Sequence, residues 1–139
     1  MEESIRDAFQ LERVNPARIP SLSLAYLGDA VFELVIRTVL LEKGSSPNGA
    51  LYARSLPYVS AVGQAKMAEA LLPLLSEEEA AVYRRGKNAK PEHGAKNASA
   101  LEYRKATGLE TLFGTLYLQG RRERLLELIK EGMEHVGTA

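Results

Sequence analysis

Two apolar helical stretches of this chain carry a glycine and a carboxylate where a buried helix face would normally hold aliphatic side chains. The first is LSLAYLGDAVFELVI, residues 22–36; the second is ATGLETLFGTLYL, residues 106–118. At helical spacing Asp29 shares a face with Tyr26, Phe32 and Glu33. Glu110 shares one with Ala106, Thr107, Phe113, Gly114 and Tyr117. Gly28 and Gly114 each cost about 1 kcal/mol relative to alanine in a helix interior. Close approach of two helix backbones is the simplest compensation. An ionised carboxylate on an apolar face is costly unless it is paired or binds a metal. Two such helices crossing at their glycines would bring both acids to one point, which is the geometry of a metal site. Each acid taken singly also reads as an ordinary carboxylate, hydrogen-bonded or solvated at a helix crossing, and spacing alone leaves both readings open.

The rest of the chain reads as helix. No stretch alternates apolar and polar residues with β-branched enrichment for long enough to argue a strand. A short helix is expected over residues 5–11, and Asn15-Pro16 can start a single turn. The first major helix should run from about Ser21 to Glu42 and stop at Gly44. Ser46-Pro47 opens a helix ending near Leu56-Pro57, and another covers roughly residues 60–72. Ser76 with Glu79 and Ser99 with Glu102 are capping boxes. The first opens a helix ending near Gly86 and the second a helix to about Gln119. Gly120 precedes a final amphipathic helix over residues 121–135. The expected fold is therefore an all-α helical bundle of one domain, residues 1–139. The apolar helix from Leu22 to Leu41 offers more surface than one small domain can bury, and its excess predicts a subunit interface.

The chain has no cysteine, which excludes disulfides, thiolate zinc sites and a cysteine nucleophile. Only His93 and His135 could supply imidazole, and they are far apart in sequence. No apolar run reaches about 18 residues without a charge, so no transmembrane helix is expected. The N-terminus lacks a signal-peptide layout, which makes the cytoplasm the expected location.

The formal net charge is zero, but it is unevenly distributed. Residues 84–105 hold seven Lys/Arg against Glu92 and Glu102, a net +5. The remainder holds 11 basic and 16 acidic residues, a net −5. Such concentration points to a polyanionic partner. Arg85, Lys87, Lys90, Lys96, Arg104 and Lys105 supply charge for phosphates, and Asn88 and Asn97 can donate to phosphate or sugar.

At this point the residues suggest a family. LAYLGDAVFEL resembles the signature helix of the ribonuclease III endonuclease domain, and YRKATGLETLFGTLYL resembles its second acidic helix. Their order and separation and the all-helical layout also match, over residues 14–135. The resemblance is closest to the short form, Mini-ribonuclease III, which lacks a double-stranded-RNA-binding domain; a chain of 139 residues agrees with that form. The resemblance implies a homodimeric endoribonuclease that cleaves both strands of double-stranded RNA with Mg²⁺ (Mn²⁺ as a substitute), leaving 5′-phosphate and 3′-hydroxyl ends. It further implies a role in maturation of the large-subunit (23S) ribosomal RNA precursor, with a large-subunit ribosomal protein as partner. Carried over residue by residue, Asp29 and Glu110 become the catalytic metal ligands. Full-length members usually carry a glutamate where this chain has Ala25 and an aspartate where it has Thr107. With two carboxylates fewer, Mg²⁺ should be held more weakly. Glu33 and Thr107 are the candidate outer contacts. The alternative reading is a non-catalytic RNA-binding or ribosome-assembly module on the same fold.

Overall fold

A computed structural model describes residues 1–44, 48–89 and 99–137, with the side chains of 48 and 49 left aside. The described elements are α1 (Glu2–Phe9), a 3-10 turn (Pro16–Arg18), α2 (Ser21–Lys43), α3 (Asn48–Val59), α4 (Ala61–Leu71) with a following 3-10 turn (Leu72–Leu74), α5 (Glu77–Asn88), α6 (Ala100–Leu118) and α7 (Arg122–Gly137). No strand occurs among the described residues, so the all-α expectation holds.

Local chemistry explains most of the boundaries. Asn15 accepts a hydrogen bond from the Ala17 N–H at the Pro16 turn. Ser60 caps α4 through the Gly63 N–H at 3.0 Å. Both capping boxes form reciprocally, Ser76 with Glu79 and Ser99 with Glu102. Gly44 follows the last residue of α2, and Gly120 takes the left-handed conformation, φ +73°, after α6.

Helix α1 spans Glu2–Phe9 rather than 5–11, α7 runs on to Gly137, and two ends expected at a proline and a glycine also fall elsewhere. Helix α3 continues past Pro57 to Val59, and the Ser60 N–H bonds to the Leu56 carbonyl at 3.1 Å across the proline. A proline so near the C-terminus removes one donor without ending the ladder. Helix α5 passes Gly86 and reaches Asn88. A Cβ at position 86 would lie 2.3 Å from the Thr111 Oγ1, so this glycine is required for close packing on α6, not for termination. The expected Ser46-Pro47 start of α3 lies outside the described residues.

Helix α6 runs through the middle of the bundle, packed against α2, α4 and α5, while α7 covers α4 and α6. Its apolar face enters a core of Phe32, Ile36, Met67, Leu71, Leu109, Leu112, Phe113, Leu116, Leu128 and Ile129. Phe32 and Phe113 stack with ring centroids 5.5 Å apart, an aromatic contact of about 1 kcal/mol beyond area burial. Thr107, Thr111 and Thr115 are buried in the same helix. Each returns its hydroxyl hydrogen to the carbonyl one turn back, at 3.0, 2.8 and 2.8 Å, which satisfies the group without water.

One buried ion pair locks α5 to α7. Glu79 is 2% exposed, and Arg124 donates to both of its oxygens, at 2.8 and 2.9 Å, and to the Leu74 carbonyl. These hydrogen bonds hold the Glu79 carboxyl down at about 2, against the desolvation that would raise it. Arg124→Met should therefore cost about 2 kcal/mol, less than for a fully buried pair because Arg124 keeps 24% of its side chain in solvent. The loss should shrink as pH falls from 4.5 towards 2, where the folded wild type also protonates Glu79. Urea melts of the two proteins at pH 7 and pH 3 check this.

Helix α2 leaves Leu22, Tyr26, Leu34 and Leu41 exposed on its outer face, with Tyr26 at 84%. No helix of the described residues is long and apolar enough to cross a membrane.

A candidate metal centre at a helix crossing

The two interior glycines meet. A Cβ built on Gly28 would lie 1.8 Å from the Glu110 carbonyl oxygen and 2.8 Å from the Gly114 nitrogen. One built on Gly114 would lie 2.1 Å from the Leu24 carbonyl oxygen. Backbone therefore touches backbone where α2 crosses α6. The residue after Gly28 is Asp29, and the residue one turn before Gly114 is Glu110, so the crossing sets the two carboxylates side by side.

Their proximity is visible in the chemistry of Glu110. Its carboxyl is pushed up to about 8, chiefly by burial, then by the charge and hydrogen bonding of Asp29, with Glu33 adding to the same effect. The Gln64 amide opposes this by donating to Oε2 at 3.4 Å. Asp29 is itself exposed. Glu33 is half-buried and pairs with Arg37 at 3.6 Å. Within the described residues no ion pair ends on Asp29 or Glu110. No group of three acidic or histidine side chains gathers at metal-ligating geometry there either.

This donor set suits a hard divalent cation. It consists of oxygen only: the adjacent carboxylates of Asp29 and Glu110. With two protein carboxylates, Mg²⁺ would retain several waters.

A pH dependence follows for the cation-free protein. Glu110 holds its proton to about 8 when folded and to 4.5 when unfolded. Between those values the folded state binds the extra proton, so stability falls as pH rises. In EDTA, wild type should lose stability relative to Glu110→Gln as pH rises from 5 to 8. A constant difference between the two proteins would contradict the burial described here.

Several of the other anticipated residues fall within the described ranges. Ala25 and Thr107 are buried, and the Thr107 hydroxyl is turned to the Tyr103 carbonyl. Arg84, Arg85 and Asn88 are exposed in the last turns of α5, and Lys87 is half-buried. Because Gly86 packs on Thr111, this end of α5 sits at the level of Glu110 along α6. Arg104 is exposed at the start of α6, while Lys105 pairs with Glu69. Lys90, Lys96 and Asn97, like His93, lie outside the described residues.

Gln64 was not anticipated. A signal existed: it stands one turn before Met67 and Ala68 and two before Leu71, a polar residue at the head of an apolar stripe.

Comparison with known proteins agrees with this geometry. The ribonuclease III domain family matches residues 22–121. Mini-ribonuclease 3 of Symbiobacterium thermophilum is 43% identical over 122 residues, covering 88% of this chain and 94% of that protein. Mini-ribonuclease 3 of Enterococcus faecalis is also 43% identical over 122 residues, covering 86% and 92%. A crystal structure of a Fusobacterium nucleatum protein superposes with a TM-score of 0.76 at 30% identity, over 84% of this chain and 93% of that one. With the glycines and acids of both helices inside the matched region, this chain belongs to the Mini-ribonuclease III group of the ribonuclease III domain family and is an endoribonuclease.

Proposed function

We propose that this endoribonuclease cleaves double-stranded RNA with a divalent cation, Mg²⁺ or Mn²⁺, held by Asp29 and Glu110. The observation that carries the reading is the pair of adjacent carboxylates with no basic partner among the described residues, Glu110 being raised by burial and then by its acidic neighbours. When bound, the cation supplies Lewis-acid chemistry, acidifying water and neutralising charge that develops on the phosphate. The chain's own residues do the rest. The glycine crossing holds the two carboxylates in register, and Asp29 at the solvent edge leaves the site open to a large substrate. Glu33 and Thr107 are the outer contacts of this reading, Glu33 being the better supported because its charge is felt at Glu110.

Arg85, Lys87, Asn88, Arg104 and Lys105 are proposed to bind the RNA backbone, together with Lys90, Lys96 and Asn97. Duplex RNA is bound mainly through phosphates and 2′-hydroxyls, since its deep major groove excludes side chains. Affinity should depend weakly on sequence and steeply on salt. The triple variant Arg85→Ala, Lys87→Ala, Arg104→Ala should flatten the log–log salt slope by roughly 0.7–0.9 per lost phosphate contact. An unchanged slope would place RNA binding elsewhere.

A homodimer completes the reading, because one chain provides one acidic pair and cutting both strands requires two. The exposed apolar residues of α2, Tyr26 foremost, support an interface there. Large-subunit (23S) ribosomal RNA precursor is the proposed substrate, with a large-subunit ribosomal protein as helper and the cytoplasm as location. The test is incubation with long double-stranded RNA in Mg²⁺ and in EDTA. Cleavage to 5′-phosphate and 3′-hydroxyl ends in Mg²⁺ alone is expected; equal cleavage in both would sink the metal-dependent reading.

A further inference from the structure

Gln64 is 3% exposed and sits in the first turn of α4. Its Nε2 donates to the Val59 carbonyl at 3.0 Å and to the Glu110 Oε2 at 3.4 Å. Its Oε1 is buried without a partner. Reversing the amide would set an oxygen against a carbonyl and a carboxylate, so the two acceptors fix which end faces Glu110. The anchor is rigid. Ser60 caps α4, and a Cβ on Gly63 would lie 2.0 Å from the Pro57 carbonyl oxygen, so the α3–α4 corner is closed on its own backbone.

We infer that Gln64 is the positioning residue of the acidic site: it transmits the rigid α3–α4 corner to the Glu110 carboxylate and holds one carboxylate oxygen in place. The inference rests on the metal-dependent reading above. It adds to that reading a residue that touches neither RNA nor phosphate. Carboxylate ligands are normally steadied by such hydrogen bonds, and losing one typically costs about 10- to 100-fold in metal affinity or activity.

Gln64→Met keeps length and removes both N–H groups. Mn²⁺ binding is measured without RNA, from the electron paramagnetic resonance signal of the unbound ion. Affinity should fall at least roughly tenfold in the variant. In cleavage, half-saturating Mg²⁺ should rise by the same factor while KM for RNA stays unchanged. A merely structural role would instead lower the cation-free melting temperature and leave Mn²⁺ affinity unchanged, and that result overturns the inference.

If Gln64→Met does not fold, Gln64→Glu decides. It sets an oxygen against Glu110 in the same shape, so its melting temperature should rise more with Mn²⁺ than that of wild type. An equal rise overturns the inference. Asp29→Asn separates this from failure of the underlying reading. If wild type binds no Mn²⁺, or Asp29→Asn binds it equally well, the metal reading itself fails and the role of Gln64 with it. If Asp29→Asn loses Mn²⁺ while Gln64→Met retains it fully, only the Gln64 inference fails.

Discussion

Asp29→Asn is expected to lose at least about a thousandfold in cleavage rate while remaining folded. A Lewis-acid cation supplies several kcal/mol of charge stabilisation, and each 1.4 kcal/mol or so is one decade of rate. Asparagine keeps the size of the side chain, and Asp29 is exposed, so packing is undisturbed. Glu110→Gln should lose cleavage equally. It removes a carboxyl that burial and Asp29 already disfavour as a charge, so its cation-free stability at pH 8 should match or exceed that of wild type. RNA affinity in EDTA should not change in either variant, because neither carboxylate is among the proposed phosphate contacts. Single-turnover cleavage, melting curves and filter binding separate these quantities. Near-native turnover in either variant would remove that residue from the site.

The second large effect is on stability. Gly28→Ala should cost about 4 kcal/mol or more, in the upper tail of what overpacking a core does. The new Cβ would lie 1.8 Å from a backbone oxygen of α6, where ordinary contact begins near 3.4 Å. Backbone cannot rotate away as a side chain can, so α2 and α6 would have to part. Parting them opens the stack of Phe32 on Phe113 at the heart of the core. Gly114→Ala, facing the Leu24 carbonyl, should behave alike. Gly137→Ala is the control: its nearest neighbour is the Tyr58 hydroxyl at 3.6 Å, and it should stay within about 0.5 kcal/mol of wild type. Urea denaturation measures all three. A Gly28→Ala protein as stable as the control would mean that the helices do not cross here.

Much of this architecture was legible because it is written locally. A capping box needs only Ser76 and Glu79, or Ser99 and Glu102, three residues apart. The glycine crossing was legible because Gly28 and Gly114 are each anomalous within their own helices. Glu79 shows the limit. Sequence spacing presents it as a cap, whereas its strongest partner, Arg124, stands 45 residues away on α7. Such pairs depend on tertiary packing and leave no periodic trace. Gly86 misleads for a related reason: a glycine that ends a helix and one that admits a neighbouring helix look the same until Thr111 is placed against it. Gln64 was overlooked because its meaning depends on Glu110, 46 residues further on.

The central claim is that Asp29 and Glu110 together hold a divalent cation. Crystals soaked in Mn²⁺ and measured for anomalous scattering test it most directly. The account predicts an anomalous peak bonded to a carboxylate oxygen of Asp29 and one of Glu110, absent from crystals of Asp29→Asn. An Mn²⁺ peak elsewhere on the chain, with nothing between these two carboxylates, would contradict it.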